Sequence, residues 1–318
     1  MIRSIFLGCG AYLPATCVTN EALIAQKGID STSAWIERRT GIKERHFAAP
    51  DEKTSDMATQ AAKNALAHAG LSIDAIDLII LATTTPDDVM PSTAARVQAN
   101  LNMTRGFAFD IQAVCSGFVY ALTVADNFIR TGQAHHALVI GADKFSKLLD
   151  WEDRSTCLLF GDGAGAVVLG AKEEKGITAD QGILLTALHS DGRHYDLLKT
   201  DERGLVRMNG SEVFRHAVTN LSEVVDEALE VTGLKPEDID WLVPHQANQR
   251  IIDGTGKKLA LPKERIVTTI ARHANTSAAS IPLALAEAVH DGRIQRGQLI
   301  LFDAMGAGFT WGLAVARW

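Results

Sequence analysis

The segment ALAHAGLSIDAIDLII at residues 65–80 returns later in the chain as ALEVTGLKPEDIDWLV at residues 228–243. Each copy has the pattern of a helix end, a Gly-Leu stop, a short acidic turn and a buried strand. Six identical residues recur 163 positions later, namely Ala65, Leu66, Gly70, Leu71, Ile76 and Asp77. This repetition indicates an internal duplication, and we predict halves of residues 1–170 and 171–318.

A second pair of similar segments extends the repeat. IRTGQAHHALVIGAD at residues 129–143 matches VHDGRIQRGQLILFD at residues 289–303, with an offset of 160 positions. The same offset places Asn275 at the position equivalent to Cys115. Each of these residues stands at the start of a predicted helix, and a pseudo-twofold arrangement can turn two such helix starts toward one another.

Both halves alternate amphipathic helices with short strands rich in Val, Ile and Leu, which predicts a layered α/β fold. Helices are predicted at 54–70, 92–103, 116–132, 210–232, 248–259 and 276–291. Strands are predicted at 2–9, 77–83, 107–111, 136–141, 157–160, 165–170, 239–243 and 298–302. Because no Pro/Ser-rich linker separates the halves, we expect them to share one core.

The composition excludes several classes of function. An apolar fraction of 47% with 22% charged residues is typical of a soluble globular protein, and a net charge of −7 argues against general nucleic-acid binding. No apolar run approaches the roughly 20 residues of a membrane span, and no signal peptide is visible. The four cysteines form no C-x-x-C pair and the ten histidines show no metal-ligand spacing. We therefore expect a cytoplasmic protein without a metal site, in which Cys9, Cys17 and Cys157 have no convergent partners.

Cys115 lies in FAFDIQAVCSGFVYAL, where an apolar strand gives way to a helix. The positive end of a helix favours a thiolate, so this placement suits a nucleophile, although a lone cysteine in an apolar run is more often a small core residue. Two further polar segments follow predicted strands: PHQANQR around His245 and RHANTSAAS around Asn275. Their simpler interpretations are a buried core histidine and a helix cap.

Together these residue types can perform acyl-transfer chemistry. A cysteine at a helix start can be acylated by a thioester, while neighbouring backbone amides hold the oxyanion. The glycines of DAMGAGFTWG at 303–312 allow a second main-chain donor to approach. A neutral imidazole and an amide can stabilise an enolate without a metal. Papain-like hydrolases also combine Cys, His and Asn, but their C-G-S-C-W neighbourhood is absent here.

DIQAVCSGFVYAL, PHQAN, HANTSAASIP and GAGFTWG, in this order and spacing, resemble the β-ketoacyl-acyl-carrier-protein synthase III family. These condensing enzymes start type II fatty-acid synthesis, and the similarity covers nearly the whole chain. The resemblance implies a thiolase-like, five-layered αβαβα fold built from an internal duplication. It further implies an acyltransferase without a cofactor, in which acyl-CoA is a substrate, and a homodimer whose interface involves the strand near 107–111.

The resemblance also implies roles for individual residues. Cys115 matches the acylated nucleophile, and His245 and Asn275 match the residues that promote malonyl decarboxylation. The backbone amides of Cys115 and Gly306 match the oxyanion hole. Elongating synthases use two histidines, and thiolases use a second cysteine, so this set separates the chain from both relatives.

Two residues depart from the family pattern. Val114 precedes the nucleophile where small residues are common, and Ala274 stands where glycine is common. Neither removes a functional group, but both can alter the width of the pocket. The depth of the acyl pocket, which selects the starter, depends on distant loops, and Met90 of a partner chain is one candidate for its lining.

The resemblance places the coenzyme A site at Trp35, Arg39, Arg154, Gly210 and Asn248. An aromatic face and guanidinium groups suit adenine and phosphates, whereas the simpler interpretation of WIERRTGIKER is a solvated charged turn. Gly210 and Asn248 match positions that line the pantetheine tunnel.

A basic cluster follows the histidine segment. Arg250, Lys257 and Lys258 lie at i, i+7 and i+8 on one side of a predicted helix, and Arg215 can join them. These residues are candidates for docking the acidic acyl carrier protein, with an ordinary solvated face as the alternative. Two rival functions stay open: a condensing enzyme of secondary metabolism with another starter, and a non-catalytic relative that binds carrier protein.

Overall fold

The computed structural model describes all 318 residues. The strands are β1 (Ile2–Tyr12), β2 (Thr16–Thr19), β3 (Glu44–Phe47), β4 (Leu78–Ala82), β5 (Phe107–Ile111), β6 (His136–Asp143), β7 (Gly163–Glu173), β8 (Gly182–Ser190), β9 (Leu198–Thr200), β10 (Val206–Met208), β11 (Trp241–Pro244), β12 (Leu299–Gly306) and β13 (Thr310–Arg317). The helices are α1 (Asn20–Lys27), α2 (Ser33–Thr40), α3 (Thr54–Ala69), α4 (Thr93–Asn100), α5 (Gly117–Arg130), α6 (Gly210–Thr232), α7 (Gln249–Lys258), α8 (Ile270–His273) and α9 (Ser280–His290).

Two large sheets have corresponding strand orders. The first is β1-β7-β6-β4-β5 and the second is β8-β13-β12-β11. The strand that follows the acidic turn is β4 in the first sheet and β11 in the second. β4 pairs in parallel with β5 and β6, and β11 pairs in parallel with β12. The remaining pairs of both sheets are antiparallel. The second sheet has a single bridge between Leu242 and Ile266 where the first sheet has its fifth strand, β5. This correspondence is what a duplicated sequence produces.

Helices form three layers around these sheets. α3 and α4 cover the outer face of the first sheet, and α6 and α7 cover the outer face of the second. α5 and α9 lie between the sheets, within a core that contains side chains from both halves. The predicted five-layered αβαβα fold is therefore confirmed. None of the helices combines the length and apolar character that crossing a bilayer requires.

The middle layer is tightly packed because glycines face it. A Cβ atom on Gly141 would lie 2.1 Å from the Ala278 carbonyl oxygen, and one on Gly165 would lie 2.6 Å from the Leu283 nitrogen. The backbone at the start of α9 therefore rests directly on the first sheet. Ala278 follows Asn275 closely, so this contact positions a segment of the second half against the first.

Most predicted elements are present, with one strand wrong. Residues 157–160 form turns, and only Phe160 makes an isolated bridge, with Asn275. The first large sheet uses residues 2–173 and the second uses residues 182–317. The strand β7 continues through residue 170, and the division of the chain at that position stays a prediction.

Candidate active site

Cys115 occupies a short turn, Val114–Ser116, between β5 and the start of α5. Val114 has a φ of +49°, a left-handed conformation that a β-branched residue rarely adopts. Cys115 is buried, and this burial raises the pKa of its thiol to about 12, while Ser277 and Asn275 act in the opposite direction. Burial thus outweighs the preference for thiolate that the helix start predicts, and the resting side chain is a neutral thiol.

Gly306, at the end of β12, lies beside the Cys115 turn. A Cβ atom on Gly306 would lie 2.8 Å from the Cys115 nitrogen and 2.8 Å from the Ala113 carbonyl oxygen. Thr310 secures the turn from the other side, because its hydroxyl lies 3.1 Å from the Ala113 oxygen and 2.8 Å from the Ser116 hydroxyl. Only a glycine leaves the space next to the Cys115 amide open.

His245 follows β11, and its backbone N–H donates to the Asp303 carbonyl at 2.8 Å. The ring atom Nδ1 lies 2.5 Å from the Ser280 hydroxyl, which also accepts the backbone N–H of Gln246 at 3.3 Å. The Ser280 hydroxyl can donate its proton to His245 Nδ1 while it accepts the Gln246 N–H. With Ser280 as the donor, the ring proton of His245 lies on Nε2, and we assign this tautomer.

The His245 ring is neutral in this environment. Burial lowers the pKa of His245 to about 3, so the ring stays uncharged near neutral pH. Nε2 is buried and has no hydrogen-bond partner within the protein. Ser280 was not among the predicted site residues, because no local spacing links it to a histidine 35 residues earlier.

The side-chain amide of Asn275 has its oxygen hydrogen-bonded to the backbone, while its nitrogen is directed to the cavity. Its Oδ1 accepts the Ser277 backbone N–H at 2.8 Å, so the amide Nδ2 remains a donor. The Asn275 backbone pairs with Leu159 and Gly161, both at 3.0 Å. The preceding Ala274 has a φ of +55°, which explains why glycine suits that position.

Asp143, at the end of β6, holds the Asn275 segment to the first half. Its buried carboxylate accepts the Ala278 backbone N–H at 3.2 Å and the Thr84 and Thr85 backbone N–H groups at 2.7 and 3.1 Å. Asp303, its equivalent in the duplication, has neither carboxylate oxygen hydrogen-bonded, and burial raises the pKa of Asp303 to about 6. The equivalent positions have therefore diverged in their surroundings.

One cavity of about 730 Å³ joins these groups to the surface. Cys115, His245 and Asn275 line its buried part. Trp35 lies at its exposed end, with the guanidinium carbons of Arg39 and Arg154 each 5.6 Å from its ring centroid. The structure therefore brings the three predicted catalytic residues together, and three of the predicted coenzyme A residues as well.

Gly210 and Asn248 line the same cavity. Gly210 begins α6, and a Cβ atom there would meet only the Met208 methyl, at 3.5 Å. The side chain of Asn248 already has partners at both ends: Nδ2 donates to the Arg39 carbonyl at 3.1 Å, and Oδ1 accepts the Arg250 N–H at 2.9 Å. Asn248 thus ties the start of α7 to α2.

The predicted docking cations lie on the neighbouring helices α6 and α7, all of them exposed. Arg215 pairs with Glu212 and Lys258 pairs with Asp226, both at 2.6 Å. The Arg250 guanidinium lies 4.6 Å from the Phe214 ring centroid, at the edge of the cavity. Lys257 makes no salt bridge, so its charge is uncompensated.

A thiolase-like fold whose central cavity is lined by cysteine, histidine and asparagine is that of a condensing acyltransferase. Family models described as "3-Oxoacyl-[acyl-carrier-protein (ACP)] synthase III" and its C terminal match residues 109–192 and 229–318. The chain belongs to the β-ketoacyl-[acyl-carrier-protein] synthase III family, the condensing enzymes that initiate fatty-acid synthesis.

The chain is similar to individual members of this family over its full length. The chain is 62% identical to the β-ketoacyl-[acyl-carrier-protein] synthase III of Rhodospirillum centenum, covering 100% of this chain and 99% of the relative. The crystal structure of 3-oxoacyl-[acyl-carrier-protein] synthase III from Aquifex aeolicus superposes with a TM-score of 0.94 at 50% identity, covering 99% of this chain and 100% of that one. The priming β-ketosynthase of the R1128 polyketide pathway has a TM-score of 0.92 at 34% identity, covering 99% and 96%.

Proposed function

We propose that the chain condenses an acyl-CoA starter with malonyl-acyl-carrier protein in two steps, with Cys115 as the acyl carrier. In the first step the Cys115 sulfur attacks the thioester carbonyl. The new C–S bond replaces the bond to coenzyme A, which leaves as a thiol with the proton that Cys115 gives up. The backbone N–H groups of Cys115 and Gly306 hold the oxyanion that forms in between.

In the second step the malonyl thioester takes the place of coenzyme A. Its C–C bond breaks, carbon dioxide leaves, and the electron pair becomes an enolate. His245 Nε2–H and the Asn275 amide donate hydrogen bonds to the enolate oxygen. The enolate carbon attacks the acyl group on Cys115, which gives a β-ketoacyl product and returns the sulfur to a thiol by uptake of one proton.

The observation that carries this proposal is a pair of donors at the buried end of the cavity: His245 Nε2 has no partner within the protein, and the Asn275 amide faces the Cys115 thiol. Ser280 directs the His245 ring proton to Nε2, and Ser277 leaves the Asn275 Nδ2 free. Two neutral donors suit an enolate because they stabilise negative charge without surrendering a proton. The side chains supply these donors themselves, so the proposed condensation requires no cofactor.

We extend the proposal to the coenzyme A end of the cavity. Trp35 offers an aromatic face to adenine, while Arg39 and Arg154 offer guanidinium groups to the phosphates. The open wall at Gly210 leaves room for the pantetheine arm. Asn248 would contact that arm with the hydrogen-bonding capacity left after its bonds to α2 and α7.

The acidic acyl carrier protein is proposed to dock on α6 and α7. Lys257 and Arg250 carry positive charge without an opposing carboxylate, whereas Arg215 and Lys258 must exchange their present partners for those of the carrier. The side chain of Val218 on α6 is 42% exposed and adds an apolar contact beside the cations. On a chain with net charge −7, this local basic surface directs an acidic partner to the cavity.

A homodimer through β5 is also proposed. β5 is an edge strand of the first sheet, and its Phe107 is 38% exposed beside Phe109 and Phe128. Val89 and Met90 are also exposed, and in the proposed dimer Met90 reaches the acyl pocket of the partner. The four free cysteines fit a reducing compartment, and we propose the cytoplasm.

Mass spectrometry after incubation with acetyl-CoA tests the proposal. The expected result is one acyl adduct on Cys115, its loss in Cys115→Ala, and its retention in Cys17→Ser as the matched control. Malonyl-acyl-carrier protein should then discharge the adduct with release of carbon dioxide. A folded protein that forms no adduct with any acyl-CoA would refute the proposed enzyme. Because a polyketide priming synthase is also similar, a panel of acyl-CoA starters decides between fatty-acid and secondary-metabolic primers.

A further inference from the structure

A second cluster of reactive side chains lies away from the cavity. It consists of Cys9 in β1, His68 near the end of α3 and His290 at the end of α9. One ligand atom from each residue, the sulfur or a ring nitrogen, lies within 4.8 Å of the other two. The prediction that Cys9 has no convergent partners is therefore wrong. Sequence spacing could not find the cluster, because 59 residues separate the first pair and 222 separate the two histidines.

Close packing on β1 brings the three residues together. A Cβ atom on Gly8 would lie 2.5 Å from the Ala69 nitrogen, and one on Gly10 would lie 2.2 Å from the Ala65 nitrogen. The backbone of α3 consequently rests against β1, an edge strand, and His68 reaches Cys9 along that edge. α9 also packs on β1, which places His290 next to His68 with ring centroids 4.8 Å apart.

The distances in the cluster correspond to the edges of a metal tetrahedron. Zinc bonds of about 2.3 Å to sulfur and about 2.0–2.1 Å to nitrogen place sulfur and nitrogen about 3.5 Å apart and two nitrogens about 3.3 Å apart. The Cys9 Sγ lies 3.5 Å from His68 Nδ1, and His290 Nε2 lies 3.3 Å from the same Nδ1. Two edges thus have the required length, and the exposed His290 side chain can close the third.

We propose that Cys9, His68 and His290 form a zinc site, with water as the fourth ligand. A thiolate and two imidazoles are typical zinc ligands, and the exposure of both histidines admits the ion and the water. Binding ionises the Cys9 thiol, and its proton passes to solvent. The ion also displaces the hydrogen bond that the Cys9 N–H now donates to His68 Nδ1 at 3.1 Å.

The site would join the two halves of the duplication. His68 and Cys9 belong to the first half and His290 to the second, so the ion ties α9 to β1 and α3. None of the three residues lines the catalytic cavity, so the ion is proposed as a structural one. Burial raises the pKa of the Cys9 thiol to about 12, so the bound ion must supply most of the free energy that ionises the sulfur. The Arg296 guanidinium, held at the Phe6 and Leu7 carbonyls, acts in the same direction as the ion.

The test uses the untagged full chain, stripped with a chelator and titrated with Zn²⁺ alone. We expect one Zn²⁺ per chain by atomic emission after equilibrium dialysis. Co²⁺ should give the thiolate-to-metal absorption band of a tetrahedral site. At a Zn²⁺ concentration 100 times the Kd, the Tm should rise by about 4 °C.

Variants locate the ion. Cys9→Ser, His68→Gln and His290→Gln should each weaken Zn²⁺ binding at least about tenfold, and Cys9→Ser should abolish the Co²⁺ band. Cys17→Ser and His135→Gln, both at exposed positions, should bind as the wild type does. Binding below one ion per chain would overturn the proposal, as would binding that persists in Cys9→Ser but is lost in Cys115→Ala. Acyl transfer by the metal-free protein is measured separately, so this test and that of the proposed condensation fail independently.

Discussion

Substituting Gly306 by alanine tests whether the space beside the Cys115 amide receives the oxyanion. The added Cβ atom would lie 2.8 Å from the Cys115 nitrogen, at about the distance an oxyanion would occupy. Loss of one oxyanion donor costs about 2.7–4 kcal/mol of transition-state stabilisation. We therefore expect Cys115 acylation by acetyl-CoA to slow about 10²- to 10³-fold. Decarboxylation of the malonyl thioester should change much less, because it depends on His245 and Asn275.

The assay is quenched-flow acylation followed by mass spectrometry of the Cys115 adduct. Gly117→Ala is the matched control, since its Cβ would lie 3.1 Å from the Ala82 side chain and 3.4 Å from the Ala278 side chain, away from the amide. A Cβ atom on Gly306 would also lie only 2.8 Å from the Ala113 oxygen and could disturb the backbone. Circular dichroism is therefore used to verify that both variants are folded. If folded Gly306→Ala acylates within a few-fold of Gly117→Ala, the assignment of this space to the oxyanion is refuted.

Three other substitutions test the surroundings of the site. Ser280→Ala removes the only partner of His245 Nδ1. The tautomer with its proton on Nε2 then has an unsatisfied buried acceptor, which costs about 1–3 kcal/mol, so carbon dioxide release should fall about tenfold or more while Cys115 acylation persists. Equal losses in both assays would contradict a role in decarboxylation. His245 has a pKa of about 3 when folded and about 6.5 when unfolded, so its contribution to stability is present above pH 6.5 and is lost as the pH falls toward 3. Between pH 7 and pH 5 the wild type should lose about 2 kcal/mol more unfolding free energy than His245→Gln in urea titrations, and parallel losses would show that His245 is not buried in its neutral form. Ala274→Gly should raise the Tm by about 1–2 °C in thermal unfolding, because glycine relieves the positive φ; a lower Tm would show that Ala274 is unstrained.

The duplication predicted two similar α/β halves, and the family resemblance supplied the five-layered fold and the candidate catalytic residues. The offset of 160 positions related Cys115 to Asn275 before any contact was known, and the cavity contains both. The family resemblance also located the departures at Val114 and Ala274, although only the structure shows that both residues have positive φ. Such positions can be recognised in a sequence because turns and strand ends restrict which residue types their backbone conformation accepts.

Features that depend on packing between distant segments were missed. The strand predicted at 157–160 has the apolar composition of a strand, but its backbone forms turns next to the Asn275 segment. The helix start at Cys115 suggested a thiolate, whereas burial by both halves decides the protonation of the thiol. Ser280 and the cluster at Cys9 each join side chains whose proximity no periodicity encodes.

The glycines that face the middle layer set the distance across which the reaction takes place. Cys115 belongs to the first half, whereas His245 and Asn275 belong to the second. In the proposed reaction, the spacing of the two sheets therefore sets the distance between the acyl group and the attacking carbon. Gly141 and Gly165 keep that spacing at its minimum, because the backbone at α9 touches the first sheet there. Neither glycine lines the cavity, yet in the proposed reaction both determine the distance between the enolate and the acyl group on Cys115.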